Sequence, residues 1–376
     1  MKSCEVMSMK GWYRAGVVLF YFSWISFTAA AQQPADSAAT AGQSQSSPAV
    51  ATGGKDHQLE LDVVVTDKSG KPVSGLQEQD FTVLDNKHPT KILSFHAHGG
   101  PIPAGEVDAG TEIILVLDEV NTTYEKVSYG LDGIKRFLAE NHGELTHPVS
   151  LAFFTDAGLQ VQTQPSVDGN ALVSALNQHD RGFRTIGRGT GFYGAEDRLR
   201  LSVDALESLI AQEQTKSGRK MVIWVSPGWP FLSGFGNNLT TAQQQHAFAS
   251  VVRLSTTLRQ ARMTLYSIDP LGAEGAGGTR TTYYENFTKG LIDPGHADLG
   301  DLALQVLATK TGGRVIYGND SIVNSIERCT ADLSAYYVLS IDTPPAERAN
   351  EYHSLEVKLE TKGLTARTRT GYYAQP

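Results

Sequence analysis

The chain has 376 residues, with 32 Lys and Arg against 40 Asp and Glu, a formal net charge of -8 and 40% hydrophobic content. That composition builds an ordinary globular core. The acidic balance and the scattered basic residues exclude a general nucleic-acid binder, which needs clustered Lys and Arg to neutralise phosphates.

At the N-terminus, Lys2, Lys10 and Arg14 precede an apolar run from Ala15 to Ala30, and Ala29 and Ala31 offer a small-residue cleavage pattern. A positive stretch, an apolar stretch and an A-x-A site predict a secretory signal peptide over 1–31. The run is shorter than the ~20 residues that span a bilayer comfortably, which favours cleavage over anchoring. The mature protein is therefore expected to be secreted or periplasmic. No later segment is long and apolar enough to span a membrane. Residues 32–56 are rich in Ala, Ser, Gln, Gly and Pro and predict a disordered linker.

Residues 57–100 read as an N-terminal β module. Leu59, Leu61, Val63 and Val65 alternate inward, and "FTVLDN" and "TKILSFHAH" supply further strands. A Gly- and Pro-rich stretch follows at 99–110. From 110 to 334 apolar strands alternate with helical patterns. Strands are expected at Glu112–Asp118, Val149–Thr155, Lys220–Ser226, Thr264–Asp269 and Arg314–Tyr317. Helices are expected at 122–141, 168–178, 195–215, 241–261, 297–310 and 319–334. This alternation predicts an α/β fold with a doubly wound, mainly parallel sheet. Cys329 falls on a helical pattern with Ile322, Ile326 and Leu333 and reads as a buried, inert thiol. It is the only cysteine besides Cys4, so the mature chain forms no internal disulfide and no cysteine zinc site. Residues 335–376 return to β strands. The flanking strands predict a small β module in which N-terminal strands pack with C-terminal ones, since chain termini often lie close together.

The stretch with chemical potential is "ILVLDEVNTTYE". A buried strand runs straight into Asp118, and Asn121, Thr122 and Thr123 follow at a helix start. A carboxylate at the C-terminal end of such a strand is where α/β proteins place ligands. The plain structural alternative is that Asp118, Thr122 and Thr123 cap the helix.

The segment "LDVVVTDKSGKPVSGLQEQDFTVLDNKHPTKILSF", with "LVLDEVNTT", "ATKTGGRVIYGND", "AYYVLSID" and "TARTRTGYYA" in order after it, resembles the von Willebrand factor A-related family of secreted acidobacterial proteins. The resemblance runs from about 58 to 374. It implies a von Willebrand A-type α/β domain that binds other proteins, and a metal-ion-dependent adhesion site. Such a site carries D-x-S-x-S after the first strand, a Thr in a later loop and an Asp in a T-D-G-like stretch. Mg²⁺ there takes about six oxygens at ~2.1 Å, and a partner's carboxylate completes the shell. Onto this pattern Asp118 and Thr122 match. Thr190 in "GRGTGFYGAED" is the preferred later Thr, with Thr185 as its alternative. Val120 stands in place of the first Ser, and Ser226, Pro227 and Gly228 stand in place of T-D-G. The site is thus expected to be degenerate, binding Mg²⁺ or another divalent cation weakly or not at all. Asp156 and Asp269 are possible substitute oxygens, although Asp favours such strand ends and turns anyway.

The same stretch also resembles the first motif of haloacid-dehalogenase-type phosphatases, in which one Asp attacks phosphorus and a second protonates the leaving group. Asp118 and Thr122 fit, and "VIWVS" would supply Ser226. The second Asp is Val120, which has no proton to donate, so a non-enzymatic protein is expected. Two aromatic loops are candidates for partner contact: Trp229, Phe231 and Phe235 in "SPGWPFLSGFGNN", and Tyr283, Tyr284 and Phe287 in the long connection 269–296. The alternative is that these loops fold their own aromatics inward.

Overall fold

The computed structural model describes residues 58–100, 103, 106–179, 191–232, 239–270, 282–317 and 321–376. The expected signal peptide and linker, Thr185, Thr190 and Phe235 lie outside the described residues.

Two kinds of sheet share the chain. The N-terminal strands are β1 (Gln58–Thr66), β2 (Phe81–Asp85), β3 (His88–Thr90) and β4 (Ile92–Gly99). The central strands are β5 (Thr111–Asp118), β6 (Glu144–Thr155), β7 (Gly158–Val161), β8 (Ser166–Asp168), β9 (Arg219–Val225), β10 (Met263–Asp269) and β11 (Val315–Tyr317). The C-terminal strands are β12 (Ala335–Asp342), β13 (Glu351–Leu359), β14 (Thr365–Arg367) and β15 (Gly371–Ala374).

The central strands form a seven-stranded sheet in the order β11-β10-β9-β5-β6-β7, with β8 also pairing β6. The five strands from β11 to β6 run parallel, while β7 and β8 lie antiparallel to β6. Among the described residues six helices cover the sheet: α1 (Tyr124–Leu138), α2 (Gly169–Gln178), α3 (Gly191–Glu213), α4 (Thr241–Gln260), α5 (Leu304–Lys310) and α6 (Ile322–Thr330). Alternation along β5 explains the two-sided cover. Ile113, Leu115 and Leu117 pack with residues of α1, α2 and α6, whereas Ile114 and Val116 pack with residues of α3, α4 and α5. Each fully buried Leu, Ile or Val contributes about 1.5–3 kcal/mol, so a strand apolar on both faces is fixed firmly between the layers.

The helical pattern at 297–310 is broken. Leu299–Leu302 is a 3₁₀ turn with Asp298 accepting from Gly300 N at 2.8 Å, Ala303 is extended, and only Leu304–Lys310 is α-helical. The Asp298–Asp301 capping box ends one turn before the next helix starts, which the apolar spacing alone does not reveal.

The outer strands form two four-stranded antiparallel sheets, β14-β1-β12-β4 and β15-β13-β2-β3. β1 pairs with β12 from Gln58↔Asp342 to Val63↔Tyr337, and β2 pairs with β13 from Phe81↔Leu359 to Asp85↔Leu355. Leu59, Leu61, Val63 and Val65 of the first sheet meet Phe81, Val83, Leu355 and Tyr372 of the second in one core. The Phe81 and Tyr337 rings lie 4.9 Å apart within it. N- and C-terminal strands thus close a sandwich around the ends of the α/β body. All described residues fall in one compact unit, Gly53–Pro376. The phenol of Tyr373 donates to Leu291 O at 3.1 Å, and its ring packs edge-on against Phe248 of α4. No helix among the described residues is long and apolar enough to cross a membrane.

Candidate functional site

In the parallel part of the sheet the spatial order is β6-β5-β9-β10-β11. The chain leaves β5 to one side for β6, then returns to the other side for β9. The gap between the C-terminal ends of β5 and β9 is therefore the topological switch point, where open α/β sheets bind ligands. Asp118 ends β5, and Trp224 and Ser226 sit at the end of β9.

Asp118 is 0% exposed. Its Oδ1 accepts from the backbone N–H of Val120 at 3.0 Å and of Asn121 at 2.8 Å. Its Oδ2 accepts from Asn121 Nδ2 at 3.0 Å and from Trp224 Nε1 at 3.1 Å. A carboxylate has about four lone-pair positions, and here four N–H donors and the nearby Ser226 hydroxyl compete for them. Burial pushes the Asp118 carboxyl above its usual range, and hydrogen bonds from Asn121, Ser226 and Trp224 pull against that shift. Asn121 Nδ2 also donates to Ser202 Oγ at 2.9 Å, and Ser202 Oγ donates to Arg198 O at 2.7 Å. This chain ties the loop after β5 to α3. Burial lowers the pKa of the Arg198 guanidinium and the Asp118 charge partly restores it, so the two groups feel each other electrostatically.

The helix does not start on Asp118. Thr123 is the residue before α1, without a side-chain capping bond, and Asp118 instead fastens the turn 118–121. Val120 packs into the apolar core beneath α3. Thr122 is buried, and its hydroxyl, like those of Thr123 and the Asn121 carbonyl, has no hydrogen-bond partner among the described residues. Across the gap, Ser226 Oγ accepts from Gly228 N at 3.2 Å. Gly228 has φ +97°, and a Cβ there would collide with the Gln305 amide, so the loop that would carry T-D-G folds back tightly on α5.

A divalent cation needs open oxygen lone pairs aimed at one point. The N–H groups of Asn121 and Trp224 occupy those of Asp118, and a Val and a Pro stand where a hydroxyl and a carboxylate are required. Among the described residues, Asp118 therefore offers no open carboxylate lone pair to a Mg²⁺ ion. Asp269 is buried at the end of β10 and Asp156 lies in the turn after β6. Among the described residues no three His, Cys, Asp or Glu side chains gather as a metal cluster.

The aromatic loops divide. Trp229 is only 4% exposed, packs edge-on to Trp224 at 5.4 Å, and belongs to the core rather than to a surface. Burying two indoles side by side removes more apolar area from water than a loop position would. Phe231, Tyr283 and Phe287 form a cluster with ring centroids 5.0–5.9 Å apart, with Tyr283 40% exposed at its rim. Tyr284 is half-buried near Tyr317. Among the described residues the most exposed aromatics are two that the sequence pattern did not single out: Tyr124 at 67% and Tyr193 at 79%. Tyr124 opens α1 and Tyr193 lies in the first turn of α3. The connectivity of a parallel sheet puts both helix starts at the same edge as Asp118. Trp224 was legible in principle, because an indole N–H inside a buried strand must find an acceptor.

No family model and no curated relative matches the chain. Among solved structures, the SpRpn10 VWA domain aligns over 60% of this chain and 97% of its own, at 10% identity and a TM-score of 0.31. The human COPII-coat protein Sec24c aligns over 75% of this chain and 46% of its own, at 9% identity and a TM-score of 0.31. The pilus adhesin SpaC from Lactobacillus rhamnosus GG, in its open conformation, aligns over 81% of this chain and 49% of its own, at 9% identity and a TM-score of 0.37. The chain spans just under half the length of these last two.

Proposed function

We propose that the chain is an exported, non-catalytic binding protein of von Willebrand A-like design. It presents the C-terminal edge of its parallel sheet to a protein partner without bridging through an ion. The observation that carries this reading is the pairing of a saturated carboxylate with an aromatic rim at one edge. Asp118 has its lone-pair positions filled from within the protein, while Tyr124 and Tyr193, in the first turns of two helices that start at that edge, and Tyr283 are exposed. Tyrosines supply large, rigid contact area with a polar tip and are enriched at interfaces. Any Mg²⁺ bound through Asp118, Thr122 and Thr190 is expected to be weak, with a Kd of ~1 mM or above, the regime of poorly charged extracellular sites. The phosphatase reading asks Asp118 to attack phosphorus and a neighbour to donate a proton. A carboxylate with no open lone pair is a poor nucleophile, and Val120 offers no proton. The signal-like N-terminus supports export, with a mature chain beginning near Gln32.

The test immobilises the full exported chain and compares partner retention from the extracellular fraction with Mg²⁺ and with a chelator. Equal retention in both, lost in a Tyr124→Ser/Tyr193→Ser variant, supports the reading. Retention that needs Mg²⁺, or turnover of a phosphate monoester abolished by Asp118→Asn, would overturn it.

A further inference from the structure

A second polar site lies at the opposite edge of the sheet. A cavity of about 250 Å³ opens between the sandwich and the α/β body, lined among others by Glu60, Asp62, Arg259, Arg262, Thr368 and Arg369. Arg262 precedes β10 and so marks the N-terminal edge of the sheet, a strand length of roughly 20 Å from the Asp118 edge.

The charges here do not cancel. Arg262 pairs with Glu60 at 2.9 Å and Asp62 at 3.3 Å, and buried Arg219 reaches Asp62 at 3.5 Å. The two carboxylates are thereby used. The side chains of Arg259, in the last turn of α4, and Arg369, between β14 and β15, make no hydrogen bond or ion pair with any described residue. Arg369 is nevertheless only 9% exposed, and the Thr368 hydroxyl beside it is buried without a partner. Arg262, together with Arg219 behind the lining, takes up the Glu60 and Asp62 carboxylates, which leaves the two guanidiniums of Arg259 and Arg369 without a carboxylate partner. Burial lowers the Arg369 pKa to about 10, with repulsion from Arg259 adding to it and Asp62 partly opposing it. Proteins rarely leave a buried guanidinium unpaired, because its desolvation is then uncompensated.

We propose that this cavity binds a small, doubly charged tetrahedral oxyanion, a phosphate or sulfate group, held by the Arg259 and Arg369 guanidiniums with the Thr368 hydroxyl as a third donor. Guanidinium forks match the oxygens of such groups, and a dianion neutralises the two excess charges. The volume far exceeds the ~30 Å³ share of one water, so it admits a free anion or the phosphate of a small ester. Occupancy ties β1, α4, β10 and the link between β14 and β15 together, so the anion stabilises the junction between sandwich and body.

The experiment uses the full exported chain, with thermal unfolding and calorimetry in sodium phosphate against sodium chloride at matched ionic strength. A saturable rise in Tm with phosphate and one-to-one binding are expected. Arg259→Gln and Arg369→Gln should each weaken binding at least tenfold, while Arg253→Gln, paired with Glu207 on the outer face of α4, should leave it unchanged. If Arg369→Gln fails to fold, Arg259→Gln alone decides, because that side chain is only half-buried. Glycerol phosphate binding more tightly than inorganic phosphate supports the site with an ester as ligand, and the reverse supports it with a free anion. Tm unchanged by phosphate, equal affinity in Arg259→Gln and wild type, or acetate binding as tightly as phosphate would overturn the proposal.

Discussion

Asp118 and Asp332 are both 0% exposed carboxylates in one chain, yet they are held in opposite ways. Asp118 rests on neutral N–H donors from its own loop and from Trp224. Asp332, in the turn before β12, takes Arg314 Nη2 at 2.7 Å, the Arg367 guanidinium and the Tyr266 hydroxyl at 2.9 Å. Burial pushes both carboxyls up. At Asp118 it wins, and the carboxyl stays above its usual range. At Asp332 the Arg314 and Arg367 guanidiniums more than reverse it. The difference separates two uses of a buried acid. Asp332 is an electrostatic clamp joining β10, β11, β14 and the turn before β12. Asp118 is a post around which a loop is wound, and its oxygens are consumed in that task.

The largest effect should come from breaking the clamp. Asp332→Ala leaves two guanidiniums and a phenol facing an empty site and should cost about 3–5 kcal/mol in denaturant unfolding. A loss below about 1 kcal/mol would mean that water replaces the carboxylate freely. Asp118→Asn should cost less, about 1–3 kcal/mol, because the new amide cannot accept from both Asn121 Nδ2 and Trp224 Nε1. If this substitution proved the costlier of the two, the distinction between clamp and post would be wrong.

Acidity sharpens the same contrast through its sign. Asp332 is lowered from 3.8, so its contribution is present above that value and is lost as pH falls through the folded pKa. Asp118 is raised from 3.8, so its contribution is present below that value and is lost as pH rises through the folded pKa. The cost of Asp332→Asn should therefore shrink on acidification while that of Asp118→Asn grows. Parallel pH dependences in the two variants would contradict the assignment. The smallest effect belongs to the rim. Tyr193→Ser should change stability by no more than about 0.5 kcal/mol, as expected for a surface substitution, and should act on partner retention alone.

Much of this was legible in the chain. Strand β5 announces itself as an apolar run ending in Asp118, because a parallel strand covered on both faces must be apolar throughout. The departures from the resemblance's adhesion pattern, Val120 and Pro227, are equally read from the chain itself. What the sequence concealed was non-local. Nothing near Asp118 says that Trp224, 106 positions away, will donate to it. Nor does β1 reveal the partner that it finds at β12, since antiparallel strands far apart in sequence carry no shared turn signal. Trp229 reads as a loop aromatic because Pro and Gly surround it, and only the neighbouring Trp224 ring explains its burial. The pairing of Arg314 and Arg367 on Asp332 likewise spans three separate elements.

The post at Asp118 is the central claim, and direct titration of the full chain with Mg²⁺ and Mn²⁺ by calorimetry tests it most simply. With the carboxylate lone pairs already filled, the account predicts no saturable heat below ~1 mM and the same trace for Asp118→Asn. Submillimolar, one-to-one binding that disappears in Asp118→Asn would show that the N–H donors yield to a cation, and would contradict it.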